Sequence, residues 1–319
     1  MDYSRQIQSL DSFKNLKNEF NSSKVYGAYL FNCPDKMTAC EFLLQIAKQL
    51  QTKNSDNPNA TIAKIDANTH PDVLVFPKGK SFMVEDAIEI YDKVQVKPMT
   101  DEFKIFIINN IDVSTEVAQN KMLKTLEEPP KNVVFLMSCN NLEKVLQTIK
   151  SRSQKIDIGR IDVKYLSELL DCDEQTRKIA LSFGDGYLGK TLDIVSNGEY
   201  IENYKNCLNI IKNLKKSDQI ITFSSLFSKN KDIFENYLNL LSEFYRDLLV
   251  IKYNKLDIVK NKNVLEDLKI VAKDYSVKAL CVIQKKLNTV KQKLESNVNL
   301  VTLADNMLLD ILEVKFLCK

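Results

Sequence analysis

Glycine is scarce in this chain, seven residues in 319, which leaves little of the flexible backbone that wraps phosphate groups. Nowhere do about 18 apolar residues run together, so no membrane-spanning helix is expected. The start, Met1-Asp2-Tyr3-Ser4-Arg5, is polar and lacks an apolar stretch of the secretory kind, so a cytoplasmic protein is expected. The seven cysteines (33, 40, 139, 172, 207, 281 and 318) are odd in number, scattered and without a C-x-x-C pair; they read as reduced thiols, with no metal site. A net charge of +3 is too small to demand nucleic acid, so any contact with DNA has to come from a local patch or through a partner. What is present, 44% hydrophobic and 27% charged residues, is an ordinary globular composition long enough for two or three domains.

Through the first half, apolar runs rich in β-branched residues alternate with helical patterns. Strands are predicted over 26–31, 72–76, 104–109, 132–138 and 155–158. Helices are predicted over 38–50, across a stretch where Val84, Ala87, Ile88, Tyr91 and Val94 share a face, and over 114–127, where Ala118, Met122, Leu123 and Leu126 do. Residues 51–62 read as a polar loop, and Pro129-Pro130 stops the helix before it. This β–α alternation predicts an α/β fold, a five-stranded parallel sheet covered by helices on both faces. Beyond about residue 160 the strands cease. Short helical segments broken by Gly184, Gly186 and Gly189 fill 162–198. Residues 200–319 are helical without a proline, with Leu238, Leu241, Phe244, Leu248 and Ile251 on one stripe and a strongly apolar last helix over 300–317 of the kind packed in bundles. Three domains follow: 1–160 (α/β), 161–199 (small and helical) and 200–319 (a helical bundle).

The turn after the first strand is where a phosphate-binding loop would sit, with the pattern G-x-x-x-x-G-K-[ST]: glycines for backbone wrapping, a lysine for phosphate charge, a hydroxyl for magnesium. Here it reads Cys33-Pro34-Asp35-Lys36-Met37-Thr38-Ala39-Cys40. Cys33 and Thr38 stand for the glycines, Ala39 for the lysine and Cys40 for the hydroxyl, while Asp35 adds negative charge. The third strand, which should end in two carboxylates to hold magnesium and activate water, ends in Asn109-Asn110. An amide cannot act as a general base. Asp112, three residues on, reads as the N-cap of the next helix. No intrinsic ATP hydrolysis and no bound cofactor are expected from two sites that fail together. An unorthodox loop served by Lys36 would be the exception.

The segment Asn120-Lys121-Met122-Leu123-Lys124-Thr125-Leu126-Glu127-Glu128-Pro129-Pro130 resembles the N-x-L-L-K-x-L-E-E-P-P stretch of bacterial DNA polymerase III clamp-loader subunits, which are AAA+ proteins. Thr148-Ile149-Lys150-Ser151-Arg152-Ser153-Gln154 resembles their T-I-x-S-R-C-Q, with Ser153 in place of cysteine. His70-Pro71-Asp72 resembles their H-P-D, and Gly186-Tyr187-Leu188-Gly189-Lys190 and Asn297-Val298-Asn299 resemble segments of the delta-prime branch. The gamma/tau motor branch keeps an intact phosphate loop, an acidic pair and a zinc module. Residues 41–103 here contain no cysteine, and Gly189 stands where that branch has an ATP-contacting arginine.

The resemblance implies an AAA+ body, a small helical lid and a C-terminal collar. It implies an accessory subunit of the DNA polymerase holoenzyme that does not itself hydrolyse ATP. Partners would be the gamma/tau and delta subunits, with sliding clamp and primed DNA met through the complex. By the same resemblance Arg152, with Ser151 beside it, reaches into a neighbour's ATP site as an arginine finger. Guanidinium is always charged and offers phosphate a planar fork; an arginine there also suits a helix C-terminus by the macrodipole. Glu127 and Glu128 lie unfavourably at a helix C-terminus, with no partner named by the sequence. Residues 250–295 carry 11 Lys against 5 Asp or Glu, which could face DNA or solvent.

Overall fold

The computed structural model describes residues 2–22, 24–99, 103–227, 230–296 and 298–317. The chain divides into two compact units, one of Met1–Leu170 with Gly184–Thr191, the other of Asp171–Phe183 with Leu192–Lys319. In the first, strands β1 (Ala28–Asn32), β2 (Val73–Phe76), β3 (Lys104–Ile108), β4 (Val133–Cys139) and β5 (Gln154–Asp157) form one sheet in the order β2-β3-β4-β1-β5. Every neighbouring pair is parallel. Every residue of β3 and β4 is buried, and so is all of β1 but its last. Strands buried along their whole length are what a sheet covered on both faces requires.

Each face has its own core. Leu74, Phe106, Phe135 and Ala28 stand in register across four neighbouring strands, with the rings of Phe106 and Phe135 stacked 5.3 Å apart. The helices Val84–Val94, Glu116–Glu127 and Gln147–Arg152 bring Ile90, Met122 and Ile149 to the same cluster. On the opposite face Tyr29 and Phe31 meet Phe20 of the Asp11–Asn21 helix and Phe42 of the Lys36–Thr52 helix, ring to ring at 6.0 and 5.3 Å. Burial of each such side chain stabilises the fold by roughly 1.5–3 kcal/mol.

Several expectations change. Residues 51–62 are not all loop: a helix runs Pro58–Asp66, begun by proline in its first turn and by Asn57, whose side chain accepts the N–H of Ala60 at 3.2 Å. In the Val84–Val94 helix the buried side is Ala87, Ile90 and Val94, while Ile88 and Tyr91 are exposed. Asp112 is not the cap of the Glu116–Glu127 helix. Thr115 is, accepting from Ala118 N. Gly189 does not break a helix but lies inside one, Leu188–Ser196. The histidine–proline–aspartate segment is a clamp: the buried Asp72 carboxylate accepts the N–H of Met99 at 2.9 and 3.0 Å and so ties down the approach to β3. Asn297 and Cys318 lie outside the described residues.

The second unit is built around the Lys231–Lys252 helix, against which the helices Gly198–Asn213, Leu265–Ala272 and Val277–Leu294 pack, with Leu300–Leu317 beside the last of these. Its buried side carries the expected Leu238, Leu241, Phe244 and Leu248, and also a fully buried carboxylate, Asp247. Asp247 Oδ2 accepts from Asn261 N at 2.8 Å and from Asn261 Nδ2 at 2.7 Å, and Oδ1 accepts from Arg246 Nη1 at 3.0 Å. One side chain thus pins the turn around Asn261 to the central helix. Asp247→Ala removes the acceptor for buried donors and should destabilise the protein by about 3 kcal/mol. Urea unfolding followed by circular dichroism checks this.

Candidate functional site

The turn after β1 holds its own anion. Asp35, buried, caps the Lys36–Thr52 helix by accepting Thr38 N at 2.8 Å, and it also accepts the Thr38 hydroxyl at 2.6 Å. The same carboxylate reaches the first turn of the Leu188–Ser196 helix, accepting Gly189 N at 2.9 Å and Lys190 N at 3.2 Å. Thr38 Oγ1 accepts Leu188 N at 2.8 Å. Backbone amides at a helix start are the donors that a phosphate would otherwise take. A carboxylate of the chain takes them here. The negative charge that Asp35 adds to this turn is directed onto these amides.

The fit leaves no room at Gly189, where a β-carbon would stand 2.6 Å from Asp35 Oδ1 and 2.9 Å from Met37 Cβ. Thr38 and Ala39 are buried, and Lys36 is exposed at the helix start. Burial pushes the Cys33 thiol up to about 11 and raises that of Cys40, so both stay protonated near neutrality. A neutral thiol is a poor ligand for magnesium, which prefers oxygen.

Asn109 and Asn110 follow β3. The backbone of Asn110 is left-handed (φ 55°), a conformation asparagine tolerates, and its N–H donates to Ser138 Oγ at 3.0 Å. The side-chain oxygens of Asn109, Asn110 and Asn140 are buried and accept no hydrogen bond. Asp112, the nearest carboxylate in sequence, is turned onto the backbone after β4, accepting Asn140 N at 3.2 Å and Asn141 N at 3.1 Å. Among the described residues, no three His, Cys, Asp or Glu side chains converge as a metal site would need.

Arg152 ends the Gln147–Arg152 helix. Its Nη1 donates to Thr148 O at 3.0 Å, and its Nη2 meets Glu127 Oε1 at 2.7 Å. It lines an open cavity of about 500 Å³ together with Tyr26, Gly27, Glu127, Pro129 and Gln154. The arginine is one-third exposed. Ser151 bonds back to its own helix through Thr148 O at 3.0 Å, and Ser153 does the same through Ile149 O at 2.9 Å. Sequence reasoning named Arg152 but not its partner. A pair 25 residues apart, on the ends of two helices, leaves no periodic trace. The two candidate sites do not come together: residues 33–40 follow the C-terminal end of β1, whereas Arg152 precedes β5, which pairs Tyr29 with Gln154.

Comparison with known proteins gives two family models. One, described as DNA polymerase III, delta subunit, matches residues 9–162. The other, DNA polymerase III, delta subunit, C terminal, matches residues 199–313. The DNA polymerase III subunit tau of Bacillus subtilis (strain 168) is 27% identical over 196 residues, 57% of this chain and 35% of that protein. The gamma subunit of Buchnera aphidicola subsp. Schizaphis graminum is 24% identical over 62% of this chain and 58% of its own length. The chain thus spans only about a third to a little over half of these relatives. The delta' subunit of Bacillus subtilis is 24% identical over 258 residues, 78% of each protein. A solved gamma subunit-related protein of Thermotoga maritima aligns over 96% of this chain and all of its own, with a TM-score of 0.48 and 20% identity.

Gly189→Ala should destabilise the chain by roughly 1–3 kcal/mol, because the new methyl has to displace a bonded carboxylate. Asp35→Ala alone should cost about 2 kcal/mol. In the double variant the two losses should sum to less than their separate values, since the smaller side chain at 35 makes room for the methyl. Chemical unfolding of the three variants tests this coupling.

Proposed function

The chain belongs to the family of DNA polymerase III clamp-loader subunits, and from that premise we propose that it is a subunit of the delta-prime type, which turns over no ATP of its own and lends Arg152 to the ATP of an adjacent subunit. The observation that carries this reading is the direction of the sheet. Strands β1 and β5 run parallel in register from Tyr29 and Gln154, so Arg152 and residues 33–40 lie beyond opposite ends, roughly 15 Å apart at the usual strand rise. An arginine so placed cannot serve a phosphate in its own loop, and its exposure leaves it open to a neighbour's.

The slot after β1 does not fit a magnesium nucleotide. Its helix-start amides are taken by Asp35, it offers no lysine in the phosphate position, and Asn109 and Asn110 bring no negative charge to hold a cation. No step of hydrolysis is therefore assigned to this chain's own loop. The rival reading, an active site served by Lys36, gains no support from a lysine exposed at the helix start. Nor does a DNA-binding reading of 250–295, where Lys260, Lys269 and Lys286 are ion-paired to Glu243, Glu266 and Asp310.

In this reading Arg152 stabilises charge on the phosphoryl group transferred in the adjacent subunit. Fingers of this kind are worth roughly 10³–10⁵ in rate, on the order of 4–7 kcal/mol. The helices of the second unit serve as a collar joining gamma/tau and delta subunits, and sliding clamp and primed DNA are engaged by the assembled complex.

The isolated chain should bind no ATP at millimolar concentration by calorimetry, and a measurable binding heat would contradict the reading. In a complex reconstituted with gamma/tau and delta subunits, clamp and primed DNA, Arg152→Ala should lower ATPase roughly tenfold or more while leaving the subunit's unfolding midpoint unchanged. Undiminished turnover would remove the finger role.

A further inference from the structure

Glu127 ends the Glu116–Glu127 helix, where the macrodipole disfavours a carboxylate, and Arg152 ends the Gln147–Arg152 helix, where it favours a cation. The two ends lie side by side, so that the guanidinium offsets the poorly placed carboxylate at 2.7 Å. The separation between them is fixed from below. Gly27, just before β1, packs so closely on Pro129 that a β-carbon there would stand 2.5 Å from Pro129 Cγ. The chain immediately after Glu127 is thus seated against the start of β1, next to the strand that follows Arg152.

We propose that Glu127 is the positioning residue for the Arg152 guanidinium, a role that rests on the finger reading above and deepens it. A free arginine side chain samples many rotamers, and a phosphate can use it only when the planar fork is aimed. Here Thr148 O holds Nη1 and Glu127 Oε1 holds Nη2. Two of the five N–H groups are engaged in holding the plane, and three are left for phosphate oxygens. The pair is partly exposed, 33% for the arginine and 50% for the glutamate, so it adds little to the stability of the fold. Its effect is orientation. Because orientation needs an acceptor rather than a charge, glutamine at 127 can hold the same nitrogen through its side-chain oxygen, whereas alanine cannot.

The test is the ATPase of the reconstituted complex carrying Glu127→Ala, Glu127→Gln, Arg152→Ala or the Glu127→Ala/Arg152→Ala pair. Glu127→Ala should lower kcat about threefold, as a misaimed catalytic group does, with KM for ATP unchanged. Glu127→Gln should restore most of the rate, and the double variant should match Arg152→Ala alone. If Arg152→Ala slows turnover while Glu127→Ala does not, the positioning role is overturned and the finger stands. If both Glu127 variants raise turnover, Glu127 competes with phosphate for the arginine, and the proposal is likewise overturned. If Arg152→Ala has no effect, the finger reading fails and takes this role with it.

Discussion

Amide groups at the start of a helix need an acceptor, and in this chain one carboxylate serves two such starts. Asp35 takes Thr38 N–H of the Lys36–Thr52 helix and Gly189 and Lys190 N–H of the Leu188–Ser196 helix. Everything around the turn after β1 follows from that choice. Thr38 must be a hydroxyl residue because it both donates to Asp35 and accepts from Leu188. Gly189 must lack a side chain because the carboxylate stands against it. A phosphate loop leaves its donors for the nucleotide; this turn satisfies them within the chain, and a charged acceptor in a buried place is not easily displaced.

After β3 a carboxylate is likewise turned onto the chain's own backbone. Asn109 and Asn110 keep about the size of carboxylates without their charge, and Asp112 spends its own charge on the backbone of residues 140 and 141. Phe106 and Phe135 stack, and Tyr29 and Phe31 are covered, whatever stands in the loops beyond them. Core packing and loop chemistry are carried by different residues in this fold.

That separation explains what could be read from the sequence. Strands β1 to β4 were legible because apolar runs bounded by polar turns have few other homes, β5 (Gln154-Lys155-Ile156-Asp157) only as a short run after them, and the Leu300–Leu317 helix because it lacks breakers and is mostly apolar. The Pro58–Asp66 helix was missed because its residues are mostly polar and small, and its start is carried by Asn57 and Pro58 rather than by an apolar stripe. Ile88 and Tyr91 were placed on the wrong side of the Val84–Val94 helix because several apolar residues compete for one face, and packing, not periodicity, decides which is covered. Asp112 was given the cap that Thr115 takes, since the two lie three residues apart and only the turn at Ile111–Val113 separates their roles. In the candidate site, the missing lysine and acidic pair could be read residue by residue. The bonds of Asp35 to residues 189 and 190 could not, because they join segments more than 150 residues apart and no local pattern records them.

Under the proposed role, in which the loop after β1 turns over no ATP, the α/β body needs a reason other than catalysis. The seat of Arg152 gives a physical reason. Its walls come from the start of β1 at Gly27, the end of the Glu116–Glu127 helix with Pro129, and the turn into β5. Those three segments meet only because β5 pairs with β1 in parallel and β4 lies on the other side of β1. Sheet order, the helix that ends at Glu127 and the close approach at Gly27 therefore all contribute to the arginine's position. Under the proposed role, a subunit that hydrolyses nothing still needs the full parallel sheet, because the sheet holds the guanidinium at one end while the other end is closed by its own carboxylate.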